Sequence, residues 1–191
     1  MDARSPLVLS THELGRRAGE MREVERTVPA PAGLGTEVIG VPEHSDLALD
    51  LSLQAVSEGV LVTGNVTAAL HGECVRCLRD IHSETTVAVS ELYYYAGKRQ
   101  KLAEDGDEEA EDVPELSGEL LDLEPTLRDA LVLSLPFQPL CRPDCPGLCP
   151  ECGVRLDDAE PGHHHEQLDP RWSALGSLFP GELEGGAGSP N

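Results

Sequence analysis

The sequence predicts an α+β fold: a mainly antiparallel β-sheet core, one packed amphipathic helix, and a small cysteine knuckle toward the C-terminal end. Three observations predict it. Leu47, Leu49, Leu51 and Leu53 alternate with Ala48, Asp50, Ser52 and Gln54, which sets the leucines on one face of a strand. Leu123, Leu127, Ala130, Leu131 and Ser134 recur at helical spacing, with Pro125 suited to a first turn and Pro136 to a stop. Cys141, Cys145, Cys149 and Cys152 crowd into a dozen residues broken by prolines and glycines, a stretch that only a bound ion would order.

Residues 1–46 read as an extended N-terminal segment. Its apolar patch Leu7–Leu9 and charged stretch Glu13–Arg26 are followed by Pro29, Pro31, Gly33, Gly35, Gly40 and Pro42. The β-rich core is expected over 47–136. After the turn Ser57-Glu58-Gly59, Val60, Val62, Val66, Ala68 and Leu70 share one parity, a second strand with a kink expected at Gly64. Thr85–Tyr95 is a third β-rich run, and Cys74–His82 must turn the chain between them, so a meander follows. Nine acidic residues between Glu104 and Glu119 predict a mobile acidic loop, 104–119, with almost nothing to bury. The helix is expected over 123–134. Residues 137–180 form a cysteine-rich segment with a short helix, capped by Asp169 and Pro170, that presents Trp172, Leu175 and Leu178. Residues 181–191 lack core-forming side chains and read as a disordered tail.

The formal charge is −21, from 35 acidic and 14 basic residues in 191. Such a surface repels phosphate backbones and attracts basic proteins. Arg76, Arg79, Lys98, Arg99 and Lys101 form at most a small basic edge. No apolar run approaches the roughly 20 residues needed to span a bilayer, so a cytoplasmic protein with no membrane partner is expected. In that compartment cysteines stay reduced, and six of them read as metal ligands rather than disulfides.

Zinc suits thiolates at this spacing, and the turn Cys149-Pro150-Glu151-Cys152-Gly153 is a zinc-knuckle-like half-site. One arrangement gathers Cys141, Cys145, Cys149 and Cys152. A second joins Cys74 and Cys77 to Cys149 and Cys152, and a third brings in His163, His164 or His165 to complete a site or bind a second ion. A closed site of four thiolates leaves no position for water or substrate, which makes the zinc structural. The sequence also lacks a phosphate-binding glycine loop with lysine, a G-x-S-x-G elbow, an H-E-x-x-H helix and a G-x-G-x-x-G turn. A non-enzymatic protein without a small-molecule substrate is therefore expected.

Several segments in order, Cys74-Val75-Arg76-Cys77-Leu78, Leu121-Asp122-Leu123, Leu135-Pro136, Pro139-Leu140-Cys141, Gly147-Leu148-Cys149-Pro150-Glu151-Cys152-Gly153 and Asp169-Pro170-Arg171-Trp172-Ser173-Ala174-Leu175, resemble the YceD family. The resemblance implies a ribosome-biogenesis role, supporting accumulation of 23S ribosomal RNA with no enzymatic activity. Three mechanisms are compatible with it. The chain is an acidic chaperone for a ribosomal protein or assembly factor of the large subunit, a maturation factor that touches 23S ribosomal RNA directly, or a zinc-stabilised adaptor docking through Arg171, Trp172 and Leu175. Charge complementarity favours the first.

Overall fold

The computed structural model describes residues 4–15, 17–106, 110 and 112–165. The chain divides into two compact units, Met1–Cys145 and Pro146–Asn191.

The first unit is built on an antiparallel sheet. Strands β1 (Val8–Ser10), β2 (Met21–Pro29), β3 (Ile39–Gly40), β4 (Asp46–Ala55), β5 (Gly59–Glu73) and β6 (Asp80–Tyr94) precede a short helix α1 (Lys98–Glu104), strand β7 (Leu120–Asp122) and helix α2 (Glu124–Ser134). The main sheet runs β2-β4-β5-β6, with β3 continuing alongside β5 where β4 ends. β1 and β7 form a separate two-stranded ribbon.

The alternation of the leucines in β4 does what its period requires. Leu47, Leu51 and Leu53 are completely buried, and Leu49 nearly so. They sit opposite Ala68, Gly64, Val62 and Val66 of β5, whose even-numbered residues share the same face. Val87, Val89 and Tyr93 of β6 extend that face. The core is then closed by Leu127 and Leu131 of α2, by Leu121 and Leu123 just before it, and by Leu7. At roughly 2 kcal/mol per fully buried leucine, this aliphatic layer is the main source of stability in a chain with few aromatic residues. Tyr93 adds a polar tie: its hydroxyl lies 2.6 Å from the Thr126 hydroxyl, fixing α2 to β6. Burial pushes the Tyr93 phenol up to about 12, with Glu91 and Asp122 adding to the shift and the Thr126 contact opposing it.

Gly64 lies within the face of buried side chains, at φ +145°. A Cβ there would overlap the carbonyl oxygen of Asp50 and the Cα of Leu51 across the strand pair. The kink expected from sequence is therefore a close approach of two backbones that leaves the parity of β5 unbroken. Gly64→Ala should lower the stability of the sheet by roughly 2–4 kcal/mol, read from the midpoint of urea unfolding. An unchanged midpoint would mean that β4 and β5 can part at no cost.

Two parts of the first unit differ from the sequence expectation. Residues 1–46 are more than an extended lead-in, because β2 pairs with β4 through nine residue pairs, from Met21↔Gln54 to Pro29↔Asp46. Only Val28 of β2 is buried and Val24 partly so. The strand is thus held by its backbone ladder, and its charged sequence carries no alternation to reveal it. The segment 104–119 is also not wholly a solvated loop. Ala110 and Leu116 are buried, and Tyr94 donates its N–H to Pro114 while accepting from Leu116. The third strand is longer than expected, beginning at Asp80. The helix foreseen over 123–134 begins one residue later, at Glu124.

The second unit, described over 146–165, has almost no core: only Gly147 and Cys149 are buried. The expected helix at 169–178 and the tail 181–191 lie outside the described residues.

Candidate metal centres

Cys74 directly follows β5 and opens a tight turn. Leu78 N–H donates to the Cys74 carbonyl at 2.9 Å, and Cys74 N–H donates to Arg79 at 2.9 Å. Leu78 takes φ +54°, unusual for a branched residue. This conformation folds Cys77 back beside Cys74. The chain after α2 then passes the turn, Val75 N–H donating to Pro139 at 3.0 Å, and brings Cys141 and Cys145 to the same point. The Arg76 guanidinium donates to the Cys145 carbonyl at 2.9 Å, clamping the two segments.

The Sγ atoms of Cys74 and Cys145 are 3.8 Å apart and those of Cys77 and Cys141 3.6 Å apart. Four sulfurs bound to one zinc at about 2.3 Å would form a tetrahedron with edges of about 3.8 Å. A disulfide would need about 2.05 Å, far shorter than either separation. Cys74, Cys77 and Cys145 are almost completely buried.

Burial acts to raise the Cys74 thiol, but backbone N–H groups of Cys141, Arg76 and Cys77 outweigh it and bring the group down to about 6. The Cys141 thiol is instead pushed up to about 12, by burial and by the neighbouring sulfurs of Cys145, Cys77 and Cys74. Four sulfurs this close cannot all be anionic without a cation among them. The donors around Cys74 nonetheless favour a thiolate, the state that binds metal.

The second unit repeats the device. Gly153 N–H donates to the Cys149 carbonyl at 2.9 Å, Cys149 N–H donates to Val154 at 2.8 Å, and Gly153 takes φ +71°. Gly153 therefore stands where Leu78 stands in the first turn, and here the sequence supplies the residue that tolerates the conformation. Cys152 Sγ lies 3.4 Å from His163 Nε2 and 3.3 Å from His165 Nε2, and the two imidazole nitrogens are 3.1 Å apart. Tetrahedral zinc would set these separations at about 3.6 Å for sulfur to nitrogen and about 3.3 Å for nitrogen to nitrogen. Cys149 is buried, whereas Cys152 and His165 are exposed. Backbone donors at Cys152 and Glu151, with a contact from His163, lower the Cys149 thiol to about 6. His164 turns away, its Nδ1 2.7 Å from the Gly162 carbonyl.

Each of the two groups, Cys74-Cys77-Cys141-Cys145 and Cys149-Cys152-His163-His165, could hold a metal ion, its ligand atoms all lying within 4.8 Å of one another. Cys141 and Cys145 thus group with Cys74 and Cys77, and Cys149 and Cys152 with His163 and His165. Proximity in sequence suggested one set of Cys141, Cys145, Cys149 and Cys152, but each turn presents only two convergent ligands, and each group completes its set from a different segment. Arg171, Trp172 and Leu175 lie outside the described residues. The signal that could have found the division is arithmetic: six cysteines and two histidines at close spacing make eight ligands, enough for two tetrahedra.

An antiparallel sheet with a packed helix and one all-cysteine group, followed by a coreless segment with a mixed cysteine and histidine group, defines a small α+β protein with two groups that could each hold a metal ion. Its family follows from comparison. The model of the large ribosomal RNA subunit accumulation protein YceD matches residues 62–179, and the chain belongs to this family. The family description links its members to accumulation of the large ribosomal RNA subunit. Among curated relatives, the uncharacterized proteins Rv2926c of Mycobacterium tuberculosis and Mb2951c of Mycobacterium bovis are each 48% identical over 171 residues, covering 90% of this chain and 80% of theirs. The uncharacterized protein ML1660 of Mycobacterium leprae is 41% identical over 175 residues, covering 92% and 78%. No solved structure matches the chain. No helix among the described residues is long and apolar enough to cross a membrane.

Proposed function

We propose that the chain is a non-enzymatic ribosome-biogenesis factor, cytoplasmic, that supports 23S ribosomal RNA accumulation by holding a basic ribosomal protein or assembly factor of the large subunit. Its net charge of −21 carries the mechanism. A strongly negative surface speeds encounter with lysine-rich chains and opposes contact with phosphates. The arginines reinforce this, since several are engaged within the protein. Arg22 donates to Ser10 and pairs with Glu13, Arg26 donates to Pro6, Arg76 to Cys145 and Arg99 to Val113. Arg128 donates to Gly33 and Ala32 and pairs with Glu124.

Zinc is the ion assigned to both clusters. It accepts thiolate and imidazole alike in a tetrahedron, and all four positions of each group are protein atoms. Its part is then to hold the turns together, with no position left for a reacting molecule.

The experiment is a pair of salt titrations, one with a basic large-subunit ribosomal protein and one with a naked 23S ribosomal RNA fragment. The ribosomal protein is expected to bind and to weaken as salt rises, while the RNA shows no binding at physiological ionic strength. RNA binding with a steep salt slope, and none to the ribosomal protein, would overturn the proposal.

A further inference from the structure

β6 is the last strand of the main sheet. It pairs with β5 along its whole length, from Gly59↔Tyr94 to Glu73↔Asp80, and has no other strand partner among the described residues apart from the contact of Tyr94 with 114–116. That contact fixes which backbone groups point outward. Tyr94 directs its N–H toward Pro114 and its C=O toward Leu116, both away from β5, whereas Arg79 accepts from Cys74 on the β5 side. The register between these points is unbroken, so alternate residues keep the same sense. Leu92, Ser90, Ala88, Thr86, Glu84 and His82 thus offer outward N–H and C=O groups, six outward-facing residues along an edge that no other described strand covers.

Beside this edge, between β6 and α2, lies a groove of ≈ 610 Å³. Glu91, Asp112, Glu115, Asp122 and Asp129 line it, against a single base among the described residues, Arg99. Arg99 is already committed, its side chain donating to the Val113 carbonyl. β6 itself contains Asp80, Glu84 and Glu91 and no lysine or arginine. A second copy of this strand would therefore meet its own charge, and a strand with basic side chains would not.

We infer that the β6 edge binds a lysine- or arginine-rich extended segment of a partner protein, which adds as a further antiparallel or parallel strand with its basic side chains over the acidic groove. Backbone pairing supplies the affinity and the carboxylates supply the choice of partner. This deepens, and rests on, the reading of the chain as a holder of basic proteins, and it names the surface that does so.

The test uses the full chain with two ligands: a basic large-subunit ribosomal protein, and a labelled peptide of about ten residues alternating lysine and threonine. Ala88→Pro removes an outward N–H while leaving the ladder to β5 intact, a position where proline is tolerated. The pair Glu91→Gln and Asp129→Asn removes groove charge. The control pair Glu23→Gln and Glu25→Gln makes the same charge change on β2, at the opposite side of the sheet. Both groove-side variants should weaken both ligands about tenfold or more, with the control within about twofold. In the wild type, peptide binding should slow hydrogen exchange at the Ala88 and Ser90 amides. If Ala88→Pro fails to fold, the charge pair and the exchange measurement decide. Groove variants that bind like wild type, or a ribosomal protein that binds without slowing those amides, would overturn this inference and leave the holder reading in place. A wild type that binds neither ligand would overturn both.

Discussion

Cys145→Ser is expected to strip the ion from the cluster of the first unit and to lower its melting temperature by roughly 10 °C or more. Serine is a poor zinc ligand because its hydroxyl does not ionise near neutral pH, so three thiolates would remain around the ion. The loss reaches the core through the chain. The turn Cys74–Arg79 connects β5 to β6, the longest strand pair in the sheet, and Cys145 lies against it through Cys74 Sγ and the Arg76 guanidinium. At free zinc about a thousandfold above the dissociation constant, a bound ion adds about 4 kcal/mol to stability, which for a unit of this size is several degrees per kcal/mol. Native mass spectrometry with thermal denaturation checks both halves. Two ions expected in the wild type should become one, and the wild type treated with a strong chelator should melt like the variant. An unchanged ion count with an unchanged melt would refute a metal role for Cys145.

How much of this architecture is legible in the sequence depends on which force holds each part. β4 and β5 are readable because burial on one face imposes a period of two, visible in Leu47–Leu53 and Val60–Leu70. α2 is readable because Leu127 and Leu131 mark a buried stripe. β2 is not, since a strand held mainly by backbone pairing, with only Val28 buried and Val24 partly so, leaves little trace in its side chains. Leu116 is hidden by its acidic neighbours, being buried within a run whose charge suggests full exposure. At the candidate metal centres the residue types are legible and the grouping is not. Two ligands at x-x spacing define a turn, but the partners of that turn come from wherever the fold returns the chain, as Cys141 and Cys145 return after α2. Leu78 is a harder case still, because the left-handed position that glycine would announce is occupied by leucine.

The second unit should respond to loss of its ion quite differently from the first. Over 146–165 it buries almost nothing, and the short bridge Leu148↔Arg155 with the bond from Leu156 N–H to Gly147 at 3.0 Å is too little to order it alone. Its fold and the binding of an ion there would then be a single equilibrium. Cys152→Ser should therefore remove one of the two ions and abolish hydrogen-exchange protection at Cys149 and Gly153, the amides that close the turn. The cooperative melt of the first unit should stay within about 2 °C of wild type, because the sheet takes its stability from its own core. His163→Ala should do the same, and this separates ligation from an effect of the thiol alone. Exposure of Cys152 and His165 also gives a chelator a direct path, so in a timed titration the first ion to leave should be the one held by the second unit. If the ion of the all-cysteine group left first, or if Cys149 and Gly153 stayed protected in Cys152→Ser, the turn would be ordered by something other than the metal.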